Sequence, residues 1–258
     1  MVWALTDSWT IARRDFARWA RQPGPVLAAL LFPVLVVLMF GYLFGGAIEV
    51  PGGGDYREYL MPGMFATAML FGIETTMVAV STDAARGVTD RFRSMPMAPS
   101  AVVAGRSLSD MVHSVFGLAV LLGCGLLIGW RAHGGLGATV LAVGLLLLLR
   151  FALLWVGIWL GLVVRGPESV VAVQILVWPV AFLANTFVPP ETMPAGLGAI
   201  AEWNPLSATV AATRELFGNS GAGGDSWAAT HALGLAIVWP VLILAVFVPL
   251  AVRRYRAA

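Results

Sequence analysis

Residues 22–48 read QPGPVLAALLFPVLVVLMFGYLFGGAI, a run of 27 residues without a charged side chain. Residues 26–44 of this run are almost wholly aliphatic or aromatic. A helix of roughly 20 apolar residues crosses the hydrocarbon core of a bilayer. The run is therefore long enough to form a transmembrane helix, and it predicts a chain that enters a membrane.

Five further apolar runs follow between the charged positions. The first of them is interrupted only by Glu74 and the third only by Arg150. The five runs are residues 59–82, 111–130, 132–164, 169–190 and 226–252. We therefore predict an all-α polytopic membrane protein, with six transmembrane helices in a single transmembrane domain over residues 1–258.

The composition agrees with this fold class. Hydrophobic residues make up 59% of the chain and charged residues 12%, against roughly 45–50% and about 25% in a soluble domain. All 16 basic residues are Arg, so the chain cannot form a phosphate-binding loop, which requires a Lys. If ATP drives this protein, another chain must hydrolyse it. One Cys and three widely separated His residues predict neither a disulfide nor a metal site.

The arginines predict the orientation of the chain. Twelve lie in the N-terminal segment, the second-to-third and fourth-to-fifth loops and the C-terminus, whereas only Arg57, Arg131 and Arg214 lie on the other side. The positive-inside rule then puts both termini in the cytoplasm, as in a multi-pass protein of a bacterial plasma (inner) membrane. A signal peptide is the alternative for the first run, but the run is longer than the apolar region of a signal peptide and no convincing small-x-small cleavage site follows before Val50.

Residues 1–22 precede the first span and predict an amphipathic helix. At 100° per residue one face is apolar and the opposite face is charged, which is typical of a helix lying in the membrane interface. A soluble helix packed on a partner would show the same pattern. The apolar face holds Leu5, Trp9, Ala12, Phe16 and Trp19, and the charged face holds Asp7, Arg14, Arg18 and Arg21.

The cytoplasmic segment 82–104 has mixed charge. Gly87, Pro96 and Pro99 should divide it into a short helix around residues 88–94 and a turn. Phe92 then stands as an apolar knob within a charged rim, a pattern typical of an interface patch. A solvated loop is the alternative interpretation.

The segment 188–227 is long, poor in charge and predicted to be extracellular. Apolar residues recur at helical spacing before and after the pair Asn204–Pro205. Two short amphipathic helices joined there would re-enter the outer leaflet and pack on the spans, because polar backbone at that depth must be covered by protein. A mostly exposed extracellular loop is the alternative.

Glu74 and Arg150 lie inside predicted spans, where an ionisable residue is costly. At 1.5 Å per residue they lie at similar depths, about 22 and about 21 Å from the outer face. We therefore hypothesise that they pair between the second and fourth spans. The pair would either fix the packing of the helices, or one member would line a path for a cationic drug or lipid headgroup.

Two motifs, taken in this order along the chain, resemble a known family. The first is residues 86–96, RGVTDRFRSMP, followed by Gly105–Arg106. The second is residues 189–194, PPETMP, followed by Asn204–Pro205–Leu206 and Arg214. With the N-terminal helix and the six spans, the whole chain resembles the membrane subunits of type-2 ABC exporters, and most closely the daunorubicin-resistance permease branch.

This resemblance implies roles for both motifs. The first would be the coupling helix that docks on a separate ATPase subunit, through Arg86, Gly87, Asp90, Arg91, Phe92, Arg93, Met95 and Pro96, although Ser94–Met95 departs from the family pattern. The second would form a re-entrant gate through Pro189, Pro190, Met193, Pro194, Asn204, Pro205 and Arg214.

The resemblance also implies partners. They are ABC ATPase subunits, which bind the ATP and Mg, a second permease copy or paralogue, and membrane lipids, with no nucleic acid. The chain itself would bind no cofactor and catalyse no reaction. The expected function is the membrane-spanning part of an ATP-driven exporter of hydrophobic or amphipathic drugs or lipids.

Other functions are less well matched by the residues. An exporter of polysaccharide or glycolipid would share the architecture. An ion-coupled secondary transporter would need intramembrane carboxylates and an internal repeat, but only Glu74 is well inside a span and no repeat is evident. An intramembrane enzyme would need a catalytic motif, and no H-E-x-x-H or intramembrane aspartate pair occurs.

Overall fold

The structure is a computed structural model that describes residues 21, 23–44, 54–87, 99–164, 166–219, 221 and 226–257. These residues form helices and connecting turns without a strand, as the all-α prediction requires. The helices are α1 (Pro23–Leu38, continued by a π-helical stretch Met39–Phe44), α2 (Tyr56–Ala85), α3 (Pro99–Leu127), α4 (Gly135–Val163), α5 (Pro167–Phe182), α6 (Ala195–Glu202), α7 (Pro205–Phe217), α8 (Trp227–Thr230) and α9 (Ala232–Ala257).

Within the described residues four helices, α2, α3, α4 and α9, are long and apolar enough to cross a membrane. The first and fifth predicted spans correspond to the shorter apolar helices 31–43 and 168–182. The predicted interfacial helix of residues 1–22 lies almost wholly outside the described residues, as does the helix predicted around residues 88–94. The coarse prediction of an all-helical chain with several spans is therefore confirmed within the described ranges.

Helix α2 extends beyond both predicted limits of the second span, and helix α3 begins before the predicted start of the third. Helix α2 begins at Tyr56, where the Asp55 side chain accepts a hydrogen bond from the Arg57 backbone N–H and caps the helix. Helix α3 begins at Pro99, well before the predicted residue 111, because a proline is tolerated at the first helical position. The charged residues Arg106 and Asp110 therefore belong to a helix and not to a loop.

The tightest packing joins α2 to α4. Two glycines of α4 allow the helices to approach closely, since a Cβ on Gly157 would lie 2.9 Å from the Ile73 carbonyl oxygen, and one on Gly161 would lie 2.6 Å from Val80 Cβ. Such small residues let membrane helices bring their backbones together. The pair forms the centre of the bundle.

Helix α7 completes this central bundle. It packs on α2, α4 and α9, and most of its side chains are buried. An exposed loop at these positions is therefore excluded. Helices α1 and α5 pack less extensively and keep large apolar side chains exposed, among them Leu35, Leu43 and Ile175.

Candidate functional site

Two adjoining cavities lie between α1, α2 and α5, the second of them also bounded by α3. One has a volume of about 220 Å³ and is lined almost wholly by aromatic and aliphatic side chains. The other has a volume of about 330 Å³ and includes polar side chains. The two share part of their lining, so together they form one elongated chamber. The shared residues are Phe32, Pro33, Ala68, Phe71 and Trp178.

A continuous series of aromatic rings lines the apolar part of this chamber. The Trp178 ring lies 4.9 Å from that of Phe71 and 5.9 Å, in a stacked arrangement, from that of Phe182. Phe182 stacks on Phe187 at 5.3 Å, and Phe187 contacts Phe40 at 4.7 Å. Rings at these separations and angles attract one another and present flat faces to a ligand.

The polar part of the chamber lies further along α2, toward Ala85. Glu74, Thr75, His113 and Ser114 are among the residues that line it. The Glu74 Oε1 atom is buried and has no hydrogen-bond partner, and Gln174 of α5 is the polar side chain beside the carboxyl. The chamber therefore has an aromatic end and an end with a carboxyl group.

The predicted pair of Glu74 and Arg150 does not form. The Arg150 Nη2 atom donates to Thr76 Oγ1 at 2.9 Å, and its Nε donates to Ser114 Oγ at 2.7 Å. The guanidinium lies against Gly72 of α2, two residues before Glu74. The predicted direction is wrong: Glu74 is two residues from both Gly72 and Thr76, about 200° around the helix, and so faces away from Arg150.

The acidic residue nearest to Arg150 is instead Asp110 of α3. Thr76 Oγ1 donates to Asp110 Oδ2 at 2.9 Å, and Ser114 Oγ donates to the Asp110 carbonyl oxygen at 2.8 Å. The Asp110 carboxylate also attracts the Arg150 guanidinium electrostatically. Arg150, which is 2% exposed, is thus held by a network that joins α2, α3 and α4.

A second buried cation, Arg214, holds α7 to the end of α2 at which Tyr56 lies. Its Nε and Nη2 donate to the Tyr59 carbonyl oxygen at 3.1 and 3.0 Å, and Nη2 also donates to the Asn185 carbonyl oxygen at 3.1 Å. The guanidinium carbon lies 3.8 Å from the centre of the Tyr59 ring, within cation–π distance. Among the described residues no carboxylate forms a salt bridge with Arg214.

The residues predicted to form a re-entrant gate are brought together only in part. Pro189, Pro190 and Arg214 line one small cavity of about 50 Å³, which Met193, Pro194, Asn204 and Pro205 do not line. Asn204 instead has a structural role, because its side chain caps α7 by accepting from the Leu206 N–H, and its amide donates to the Val180 carbonyl oxygen at 2.9 Å. It therefore ties the start of α7 to the end of α5.

Only two residues of the predicted docking segment are described. Arg86 and Gly87 are exposed at the end of α2, where Gly87 has a φ of +66°. The others, Asp90, Arg91, Phe92, Arg93, Met95 and Pro96, lie outside the described residues. On either side of the segment, Arg106 Nη1 and Asp83 Oδ2 form a 2.7 Å salt bridge that holds α2 to α3.

Sequence reasoning misses Asp110, Thr76, Gln174 and Trp178 as members of these sites. Asp110 lies directly before the uncharged run 111–130, so the pattern of charges assigns it to a loop. A signal is present in the helical spacing of Arg106, Asp110 and Ser114, which recur every fourth residue and therefore share one face of α3. No comparable pattern marks Trp178 or Gln174.

Long apolar helices, buried cations held by carbonyl and hydroxyl oxygens, and a chamber among the helices are typical of polytopic transport proteins. Residues 6–217 match the model of the ABC-2 type transporter family. The chain therefore belongs to the ABC-2 type transporter family and is a bacterial membrane protein. Its role is that of a permease subunit, and membership of this family implies an ABC ATPase subunit as its partner.

Named relatives support this assignment. The chain is 36% identical over 253 residues to the daunorubicin resistance ABC transporter permease protein of Streptomyces coeruleorubidus. The alignment covers 98% of this chain and 85% of that protein. The chain is 30% identical over 174 residues to the doxorubicin resistance ABC transporter permease protein of Mycobacterium tuberculosis, over 62% and 58% of the two chains. A probable doxorubicin resistance permease of the same organism is 23% identical over 207 residues, over 78% and 73%.

Proposed function

We propose that this chain is the membrane subunit of an ATP-driven exporter of hydrophobic or amphipathic aromatic drugs. The observation that supports this substrate class is the chamber between α1, α2, α3 and α5, with its series of aromatic rings. Pockets for drug-sized molecules measure about 300–1,000 Å³ and are mainly apolar, with a few polar groups. The names of the relatives agree with this substrate class.

In the proposed topology the chain crosses the plasma membrane six times with both termini in the cytoplasm. Helices α1 and α5 would be the two additional spans, since each is apolar and packs against α2. The Tyr56 end of α2 is then extracellular and its Ala85 end is cytoplasmic. The segment 1–22 would lie in the membrane interface as an amphipathic helix.

The proposed contact with the ATPase is the segment that begins at Arg86. It connects α2 and α3, whose ends are held together by the Arg106–Asp83 salt bridge. A displacement of the segment by the ATPase would therefore move α2 and α3 together. ATP and Mg would bind to the ATPase, and a second permease, identical or paralogous, would complete the transport path together with the surrounding lipid.

The segment 188–227 would form the extracellular side of the path. In this proposal α6 and α7 are the re-entrant helices, and the clamp of Arg214 on the Tyr59 and Asn185 carbonyl oxygens holds them to the bundle. Pro189, Pro190, Met193 and Pro194 would shape the turn that leads from α5 to this pair.

Efflux tests the proposal directly. Inside-out membrane vesicles from cells that express the chain with its ABC ATPase should accumulate doxorubicin when ATP is added. A variant with Asp90→Ala and Arg91→Ala should lose accumulation at an unchanged amount of permease in the membrane, because the docking contact is lost.

The matched control is Glu215→Ala, which removes one exposed charge from α7, away from the proposed docking segment, and should transport normally. Undiminished ATP-dependent accumulation by the Asp90→Ala, Arg91→Ala variant would contradict the docking role. Absence of ATP-dependent accumulation by the unmodified chain would contradict the proposed substrate class.

A further inference from the structure

The Glu74 carboxyl occupies an unusual position, because it lines a cavity and lacks a positively charged partner. No described Arg or His forms a salt bridge with it, and its Oε1 atom is buried without a hydrogen bond. An ionisable group inside a membrane protein is costly when it is unpaired, and such groups commonly mark a substrate or ion path. Gln174 is a hydrogen-bond partner of the carboxyl but is neutral, so the described residues supply no positive charge to it.

The cations nearest to the chamber are turned away from Glu74. Arg150 lies on the opposite side of α2, where Thr76 and Ser114 accept its hydrogen bonds. His113 lines the same cavity, but the charges near it are those of Asp110 and Arg150. Neither side chain is placed to neutralise Glu74, which leaves the carboxyl available to a bound cation.

The aromatic rings of the chamber all lie on the side of Glu74 that faces the Tyr56 end of α2. Phe71 is three residues before Glu74 on α2, and its ring lies 4.9 Å from that of Trp178. From Trp178 the stacked rings of Phe182 and Phe187 lead toward the Tyr56 end of the bundle. A ligand that reaches both ends must be long, with a flat apolar body and its charge at one extremity.

We propose that Glu74 binds the positively charged group of an amphipathic aromatic cation whose ring system packs along the rings of Trp178, Phe182 and Phe187. This inference rests on the proposed function and specifies the substrate class as aromatic cations, in preference to neutral aromatic compounds or anions. It also specifies the orientation of the ligand, with the charge toward the Ala85 end of α2 and the rings toward the Tyr56 end. Gln174, beside the carboxyl, is the second polar contact of the charged group.

Two probes that share a ring system and differ in charge test the inference. Doxorubicin carries a protonated amine on its sugar, whereas its N-acetyl derivative has the same ring system and no charge. Both are fluorescent, so binding to the permease–ATPase complex in lipid nanodiscs is measured by fluorescence anisotropy, and ATP-dependent uptake is measured in inside-out vesicles. The variants are Glu74→Gln and the control Glu215→Gln, which removes an exposed carboxylate from α7.

We expect Glu74→Gln to weaken doxorubicin binding by about tenfold or more, the range for loss of a charged hydrogen-bond partner. Binding of the N-acetyl derivative should change by less than about twofold, which is the readout that a purely structural role would not produce. Glu215→Gln should leave both affinities unchanged. Trp178→Ala should weaken both probes together, because both carry the aromatic rings.

The failures of the two proposals are distinguishable. Equal weakening of both probes by Glu74→Gln, or no change in either, overturns the role of Glu74 while drug export by the unmodified chain still stands. If the unmodified complex neither binds nor transports either probe, the proposed function itself fails. If the Glu74→Gln protein is not expressed in the membrane, Glu74→Asp replaces it. This variant keeps the negative charge, so it must still bind doxorubicin more tightly than the N-acetyl derivative.

Discussion

Replacement of Gly161 by Ala is the most direct test of the helix packing. The added Cβ would lie 2.6 Å from Val80 Cβ and 2.8 Å from the Met77 carbonyl oxygen, whereas ordinary van der Waals contact begins at 3.4 Å. A backbone oxygen and a Cβ cannot rotate out of the way. Helices α2 and α4 would therefore have to separate by about 0.8 Å at this point, a strain of the kind that overpacking produces.

Two opposing effects determine how much Gly161→Ala changes the free energy of unfolding. Overpacking costs about 1–3 kcal/mol, whereas Ala is favoured over Gly in a helix by about 1 kcal/mol. Gly144 provides the matched control on the same helix, because a Cβ there meets no atom within 4 Å. Gly144→Ala thus gains the helix propensity alone, and the difference between the two variants isolates the overpacking, about 1–3 kcal/mol.

The assay is thermal unfolding of both purified variants in the same detergent. The fraction of folded protein that remains after heating is measured by size-exclusion chromatography. Gly161→Ala should have the lower Tm, by about 2–4 °C per kcal/mol for a chain of this size. The Gly144→Ala variant should match or exceed the unmodified chain. If Gly161→Ala is as stable as Gly144→Ala, the close approach of α2 and α4 is not as the structure describes it.

Two further changes probe the buried cations. Arg214→Lys should lower the free energy of unfolding by about 1–3 kcal/mol, because an ammonium cannot reproduce the planar fork that reaches the Tyr59 and Asn185 carbonyl oxygens; an unchanged Tm in detergent would contradict this clamp. Arg150→Met should lower the free energy of unfolding by about 1–3 kcal/mol. This loss is smaller than that for breaking a fully buried ion pair, because Asp110, the acidic residue near Arg150, is only half-buried. Adding Asp110→Asn should recover part of that loss in a double-mutant cycle, and strict additivity would refute the coupling.

Much of the helical architecture could be predicted from the sequence. The apolar runs between charges locate the helices because the free energy of a membrane span depends on length and local composition alone. The ends of the helices were less predictable. Pro99 was expected to break the chain before the third span, but a proline is tolerated at the first position of a helix, and α3 begins there. Helix α5 shows the opposite mismatch at its other end, because it ends at Phe182 although the apolar run continues to residue 190.

The candidate sites were predictable to a smaller extent. Counting residues placed Arg150 at a depth similar to that of Glu74, and its guanidinium lies against Gly72, two residues from Glu74 on α2. The same count could not indicate that Glu74 faces the chamber and Thr76 faces Arg150. Depth is a property of one helix, but contact depends on the rotation of two helices about their axes, and side chains that are two residues apart point in nearly opposite directions.

By itself the sequence determined that this chain is an all-helical membrane protein without its own phosphate-binding loop, because apolar length and the absence of Lys are local properties. Only the tertiary structure decided that Asp110, not Glu74, is the acidic residue near Arg150, and that Arg214 binds backbone carbonyl oxygens. It also decided that rings from three helices form one chamber beside a carboxyl group that forms no salt bridge with a described residue. Each of these contacts joins residues far apart in the chain, and packing alone sets their rotation and distance.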